Sequence, residues 1–140
     1  MCLIINKEKH PFNKITWRFG PIIAEEDIEV FKILKASDDG KSVKTPYTDS
    51  IIDFNEQGVC TMPMINEGDF YKCKIFGIKS IGAYHSWTTE YDAKRDYVFL
   101  LIYNNPNIYK AVIPRGSLVY YGLTGDICSN QLIIKQEIIP

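Results

Sequence analysis

The sequence predicts an α+β fold dominated by strands, in a strongly bent, mainly antiparallel sheet or a partly open barrel with one short helix over about residues 88–96. Three observations support this prediction. Short runs rich in β-branched and aromatic residues recur along the chain. Clusters of Gly, Pro, Asn and Asp separate the runs. The last quarter, residues 109–139, has the pattern of three strands joined by two turns.

The first half of the chain supplies most of the predicted short strands. Residues 28–35 alternate two faces and end at an Asp-Asp-Gly turn, which favours a strand over a helix. A short strand or ordered arm is predicted for residues 3–6, and short strands for residues 51–54 and 59–62. Residues 70–75 alternate apolar and polar side chains and predict one more.

The second half contains the helix and the closing strands. Thr88 or Thr89 can cap a helix whose acids lie in its first turn and whose Lys-Arg pair lies near its end. The continuous apolar run 97–103 then predicts a buried strand. In the closing segment, Pro114 suits a strand end because it cannot donate to a ladder, and Gly116 suits a tight turn.

Length and charge predict a single domain over residues 1–140 and exclude some partners. Lys and Arg number 16, and Asp and Glu number 17, giving a net charge of −1. This balance argues against a general nucleic-acid binder or a binder of anionic membranes. A basic stretch over residues 7–18 is followed by an acidic one over residues 25–29, which we interpret as a mixed, solvated surface.

The cysteines and the amino terminus favour a cytoplasmic protein. The four cysteines have irregular spacing without any CxxC or Cys/His cluster, which is typical of free thiols in a reducing compartment and predicts no metal site. Residues 1–5 form too short an apolar run for a signal peptide. The sequence contains no Gly-rich phosphate loop, HExxH or GxSxG pattern, and we predict no cofactor.

His85 is the first candidate site residue. It lies in a segment with Tyr84, Ser86 and Trp87, directly before the predicted helix. One interpretation places an imidazole at the mouth of a pocket as a general base or hydrogen-bond donor, with Tyr84 and Trp87 as stacking walls. The alternative is a half-buried histidine that bonds a backbone carbonyl and fixes the loop. No catalytic residue is predicted.

Further candidates lie in turns. Arg115 and Ser117 suit the binding of a phosphate or carboxylate, although such a turn often satisfies only its own backbone. Tyr47, after Pro46, is a candidate wall of a groove for a base or a sugar. Lys32 shares a strand face with Val30 and Leu34. If that face is buried, Lys32 is a paired internal charge and a plausible site residue. If Phe31 and Ile33 point inward instead, Lys32 is a surface lysine, and we expect this second case because lysine is seldom fully buried.

The motifs together resemble a family of small proteins of Bacteroides-type bacteria and the tailed phages that infect them. The resemblance lies in Met1–Ile4, Ile23–Leu34, Pro46-Tyr47, Gly82–Trp87 and the closing Ile-Pro-Arg-Gly-Ser and Tyr-Tyr-Gly segments, and covers most of the chain. It implies the fold and a phage-associated setting, and no settled activity. A more distant likeness to ADP-ribosyltransferase-type scaffolds departs at Lys32, where those scaffolds carry Arg or His, and at Lys135 and Glu137.

These observations lead to three functional hypotheses. The first is a small cytoplasmic binding protein in the phage-associated setting that the resemblance implies, which acts on a host process by holding a nucleotide-like small molecule or a protein. The second is a divergent transferase-like enzyme acting on NAD or a nucleic-acid end, with His85 and Arg115 in one site. The third is an interaction domain that forms a homodimer through an exposed strand edge.

Overall fold

The computed structural model describes residues 2–15, 17–36, 42–44, 51–70, 73–74, 77–79, 84–100 and 106–139. The strands up to residue 61 are β1 (Cys2–Ile4), β2 (Phe12–Asn13), β3 (Arg18–Phe19), β4 (Ile22–Ile23), β5 (Ile28–Ala36), β6 (Ser42–Lys44), β7 (Ile51–Asp53) and β8 (Val59–Thr61). The later strands are β9 (Cys73–Lys74), β10 (Gly77–Lys79), β11 (Tyr84–Trp87), β12 (Asn107–Ile113), β13 (Leu118–Tyr121), β14 (Asp126–Ser129) and β15 (Ile133–Ile139). Within the same residues the helices are α1 (Glu67–Phe70), α2 (Glu90–Leu100) and a 3-10 turn at Lys7–Lys9.

One large antiparallel sheet organises the fold, as predicted. Eight strands follow the order β4-β13-β14-β11-β5-β12-β15-β8, and the β6–β7 hairpin extends from the end of β5. The longest ladder joins β5 to β12 over seven residue pairs, from Asn107 opposite Leu34 to Ile113 opposite Ile28. Strands β1, β10 and β9 form a separate three-stranded sheet, and β2 and β3 form a hairpin.

A tight turn shows that the large sheet is strongly curled. Residues 114–117 connect β12 directly to β13, and the Ser117 amide donates to the Pro114 carbonyl at 3.1 Å. These two strands lie four places apart in the strand order, which is about 19 Å across a flat sheet at about 4.8 Å per strand. So short a turn can join them only because the sheet bends back on itself while staying open.

The curl gives the sheet an inner and an outer face with separate apolar clusters. The inner cluster draws residues from β5, β12, β13, β14 and β15, among them Val30, Leu34 and Tyr109. An outer cluster includes Leu3 of β1, Phe70 of α1 and Tyr120 of β13. A third cluster, Ile33, Trp87, Ala93 and Ile108, joins α2 to the sheet.

The predicted helix forms, with different bounds. Thr89 is its cap: its Oγ1 accepts from the Asp92 amide at 3.1 Å, and its carbonyl accepts from the Ala93 amide. The helix starts at Glu90 and continues to Leu100, so the prediction of a strand beginning at Tyr97 is wrong for residues 97–100. Once a helix has nucleated, each further residue adds a hydrogen bond, which outweighs modest strand propensity. Residues 101–103 lie outside the described residues.

The other strand predictions are confirmed with two changes. Strands β5, β7, β8, β12 and β13 occur where predicted. The closing segment holds four strands instead of three, because Asp126–Ser129 forms β14 directly after the turn at residues 123–125. The strand predicted for residues 70–75 is wrong at Phe70, which ends α1, and is confirmed at Cys73–Lys74, which form β9. Residues 71, 72 and 75 lie outside the described residues.

Candidate functional site

Strand β11 positions two polar groups on opposite faces of the sheet. It lies between β14 and β5, with His85 opposite Cys128, Ser86 opposite Ile127 and Trp87 opposite both Asp126 and Phe31. Because side chains alternate along a strand, His85 and Trp87 share the outer face, and Ser86 lies on the inner face. The segment that the sequence singles out therefore divides into two separate environments.

On the outer face, His85 and Asp126 form a buried pair. The His85 Nε2 atom lies 3.3 Å from the Asp126 Oδ2 atom, and the two side chains are 10% and 11% exposed. Thr124 Oγ1 donates to the other carboxylate oxygen at 3.1 Å. Burial alone would raise the pKa of the Asp126 carboxyl. The hydrogen bond and the charge of His85, together with the hydrogen bond from Thr124, lower this pKa by a larger amount, so the net shift is downward.

Neighbouring residues shape this pair closely. Trp87 meets the His85 ring edge-to-face, with 5.1 Å between ring centroids. Gly122 leaves room for the carboxylate, since a Cβ atom there would lie 1.9 Å from Asp126 Oδ1. His85 is itself only 8% exposed. The carboxylate of Asp126 orients the His85 ring. This side-chain contact adds to the backbone pairing between β11 and β14. The partner of His85 is the Asp126 side chain. The alternative that His85 bonds a backbone carbonyl to fix a loop predicted a different partner.

On the inner face, Lys32 is the central polar group. It lies on β5 between Val30 and Leu34, both fully buried in the inner cluster, and opposite Tyr109 of β12. Its Nζ atom donates to the His85 carbonyl oxygen at 2.6 Å. Part of the residue remains exposed, whereas its ammonium end is enclosed. The expectation that Lys32 lies at the surface is therefore wrong.

The enclosure changes the acid–base chemistry of Lys32. Burial lowers the pKa of its ammonium from 10.5 to about 8, against a smaller opposing contribution from Cys128. Among the described residues, no carboxylate forms an ion pair with this ammonium. A charged group enclosed with only a carbonyl for a partner lacks the compensation that buried charges normally have.

Ser86 lies beside Lys32 on the same face. The register Trp87 opposite Phe31, stepped back by one residue in an antiparallel pair, places Ser86 opposite Lys32. The Ser86 side chain is fully buried, and its Oγ atom has no hydrogen-bond partner. Buried hydroxyls are usually paired, and each exception calls for an explanation. The inner face thus holds an uncompensated ammonium next to an unpaired hydroxyl.

Aromatic side chains lie on the same inner face as this pair. Tyr109 is buried, and Phe54 lies 6.1 Å from it between ring centroids. Tyr84 and Tyr121 are partly buried and pack against the inner cluster. Burial raises the pKa of all three tyrosines, which keeps their hydroxyls neutral at physiological pH. Tyr84 also donates its hydroxyl to the Pro63 carbonyl at 2.5 Å.

The remaining predicted site residues lie elsewhere. Arg115 is exposed in the β12–β13 turn, where its amide donates to Asp27 Oδ1 at 2.8 Å. Ser117 is buried and donates its hydroxyl to the Pro114 carbonyl at 2.6 Å, as a turn residue does. Among the described residues, no contact connects Arg115 or Ser117 to His85. Tyr47 lies outside the described residues.

From the sequence, Lys32 is a possible site residue that we expect at the surface, and Asp126 is not a candidate. Both faces of β5 are covered, so alternation alone could not decide whether Lys32 or its neighbours point inward. A lysine inside a run of β-branched residues was the available signal. Asp126 follows Gly125 in a segment of turn-forming residue types, and only the pairing of β11 with β14 brings it to His85.

No protein-family model, curated protein or solved structure matches this chain. Among the described residues, no cluster of three or more His, Cys, Asp or Glu side chains is arranged to hold a metal ion. No helix in the described ranges has the length and apolar character needed to span a membrane. The functional argument therefore depends on the two polar groups around β11.

Proposed function

We propose that this chain is a small cytoplasmic binding protein that holds a small anionic molecule, of the nucleotide class, on the inner face of its sheet. The observation that carries the proposal is the enclosed Lys32 ammonium, whose only described partner is the His85 carbonyl. A bound carboxylate or phosphate would supply the missing negative charge. Ser86 adds a hydroxyl on the same face that can donate to the same anion.

The aromatic surroundings favour a ligand that also carries a flat ring. Tyr84 and Tyr121 keep part of their surface exposed beside the inner cluster, and so does Lys32. Aromatic side chains stack on bases and similar rings, as at sites that bind single-stranded nucleic acid. An anion at Lys32 and a ring against these tyrosines together describe a nucleotide better than a simple inorganic ion.

A thermal-shift screen tests the proposal. The wild-type protein is heated with nucleoside mono-, di- and triphosphates, cyclic nucleotides and NAD, and hits are measured by calorimetric titration. We expect a ligand that raises the melting temperature of the wild type and of Lys135→Met, which removes an exposed lysine from β15. The same ligand should bind Lys32→Met at least tenfold more weakly. No shift with any of these compounds would refute the nucleotide proposal.

Measurement of nicotinamide release in the NAD sample separates binding from the transferase alternative. Release that is lost in His85→Ala, in a variant that still folds, would favour the enzyme. The phage-associated setting and an action on a host process stay part of the proposal, on the strength of the family resemblance. A binding protein that depletes or senses a nucleotide is one means of such an action.

A further inference from the structure

The hairpin formed by β2 and β3 presents an apolar tip to solvent. Ile15 is 92% exposed, Trp17 is 68% exposed and Phe12 is 39% exposed. An exposed group of large apolar side chains at one place is uncommon on monomeric proteins and marks a site of interaction. The function proposed above does not use this hairpin, because its ligand lies on the inner face of the large sheet.

Hydrogen bonds hold the hairpin near its tip and at its base. At its tip, Asn13 Oδ1 accepts from the Ile15 amide at 2.9 Å, and Trp17 takes a left-handed backbone conformation with φ of 54°. At its base, His10 connects two elements: its Nδ1 lies 3.0 Å from the Gly20 carbonyl, and its Nε2 accepts from the Tyr121 amide at 2.9 Å. A segment whose backbone is already held by such contacts loses less conformational entropy on binding than a free loop does.

Charge is separated around the hairpin. Residues 7–18 contain four basic residues and one acidic residue, and Lys7, Lys9 and Lys14 are exposed. Residues 25–29 contain four acidic residues and no basic one, and all four are exposed. In the order of the chain, the two stretches flank β4, which begins three residues after the hairpin ends and stops two residues before Glu25.

Strand β4 is the edge of the large sheet. It pairs with β13 on one side and is the terminal strand in the strand order. Ile23 on this edge is 63% exposed. Pro21 lies directly before β4 and has no amide proton, so any backbone pairing at this edge is short and side chains must supply most of the contact.

We propose that this chain forms a symmetric homodimer across the β4 edge, in which the basic, apolar hairpin of each copy contacts the acidic stretch of the other. A two-fold axis at β4 sets the two copies of this strand antiparallel. The chain order basic hairpin, edge strand, acidic stretch then reverses in the partner, so that opposite charges meet twice. The same patch on both copies is self-complementary, as a two-fold interface requires.

Analytical ultracentrifugation of the wild type at low salt is the first test. We expect a monomer–dimer equilibrium whose dissociation constant rises with salt concentration, because paired charges are screened. Lys14→Glu and the double variant Glu25→Lys/Glu26→Lys should each weaken self-association about tenfold or more, since each places like charges together at both contacts. All of these positions are exposed, so the monomer should fold normally.

A mixing experiment distinguishes this arrangement from general charge effects. In an equimolar mixture of Lys14→Glu with Glu25→Lys/Glu26→Lys, both contacts of the heterodimer again join opposite charges. The mixture should therefore dimerise more strongly than either variant does alone. A mixture that stays monomeric would refute the proposed contact.

The apolar tip is tested by Ile15→Ser/Trp17→Ser, which should weaken the dimer, with Ile51→Ser on β7 as the matched exposed control. A wild type that stays monomeric at all concentrations overturns the proposal. A monomeric wild type that binds vesicles containing anionic lipid would assign the hairpin to a membrane surface and overturn it as well. A dimer that none of these variants weakens would place the interface elsewhere.

Discussion

Replacement of Lys32 by methionine tests the inner-face site through the pH dependence of stability. A fall in the ammonium pKa from 10.5 to about 8 corresponds to about 3 kcal/mol by which folding disfavours the charged form, at about 1.4 kcal/mol per pH unit. Methionine has a similar length and no charge. It also leaves the His85 carbonyl without a donor, which costs about 1 kcal/mol.

The sign follows from proton binding. Between pH 8 and pH 10.5 the unfolded chain holds a proton on Lys32 that the folded chain has released, so the stability of the wild type rises with pH in this window. Below pH 8 both states are protonated and the cost is fully present. Lys32→Met should therefore be more stable than the wild type by about 1–2 kcal/mol at pH 7 and less stable by about 1 kcal/mol near pH 10.5.

Urea unfolding of both proteins from pH 7 to pH 10.5 measures this difference, because titrations of other groups cancel between them. Lys135→Met serves as the control for removing an exposed lysine. A difference between wild type and Lys32→Met that stays constant across the range would show that the Lys32 ammonium is solvated. The uncompensated charge on which the binding proposal depends would then be absent.

Three further predictions concern the outer pair of His85 and Asp126 and the inner-face hydroxyl of Ser86. Gly122→Ala should lower the free energy of unfolding by about 2 kcal/mol or more, because the new Cβ atom collides with Asp126. Gly116→Ala should lower it by only about 1 kcal/mol, because nothing lies within 4 Å there and only the φ of +87° is unfavourable. Equal losses in urea unfolding would contradict the steric argument. Asp126→Asn should destabilise the protein at neutral pH. This difference in stability from the wild type should shrink as the pH falls below about 4, because the folded protein stabilises the ionised carboxylate, which is why the pKa of Asp126 is lowered. Acid titration of both proteins measures the difference, and a constant difference would mean that His85 does not act through charge. Ser86→Ala should raise the free energy of unfolding by up to about 1 kcal/mol, since it removes an unpaired buried hydroxyl; a loss of stability would reveal a partner.

The sequence predicted the strand-rich architecture because local patterns were strong where strands are long. Strands β5 and β12 combine β-branched residues with clear boundaries, and both occur as predicted. Strand β14 was missed because Gly125 and Asp126 are turn-forming types, and its strand conformation comes from pairing with β11 and β13. Such long-range pairing leaves no local signal.

The candidate site was predicted only in part for the same reason. The sequence singles out the segment Tyr84–Trp87 as a candidate site, but its division between two faces depends on β14 and β5. Lys32 became a site residue only when both faces of its strand proved to be covered. Arg115 lies in a turn with local and Asp27 contacts, so its link to His85 stays a prediction without a described contact.

The position of β5 also affects how the chain is synthesised. The two strands that flank it in the sheet, β11 and β12, come about 50 and 70 residues later in the sequence. At about 5–20 residues per second, β5 leaves the ribosome roughly 4–14 s before β12 is available. Until β11 and β12 follow, most of both edges of β5 is unpaired, because β6 pairs only with Lys35 and Ala36 at its end, and unpaired strand edges are a hazard for aggregation. Pairing between strands so distant in sequence also slows folding, which lengthens the exposure to aggregation. Expression at low temperature, or with a chaperone that covers nascent strands, should therefore raise the yield of soluble protein.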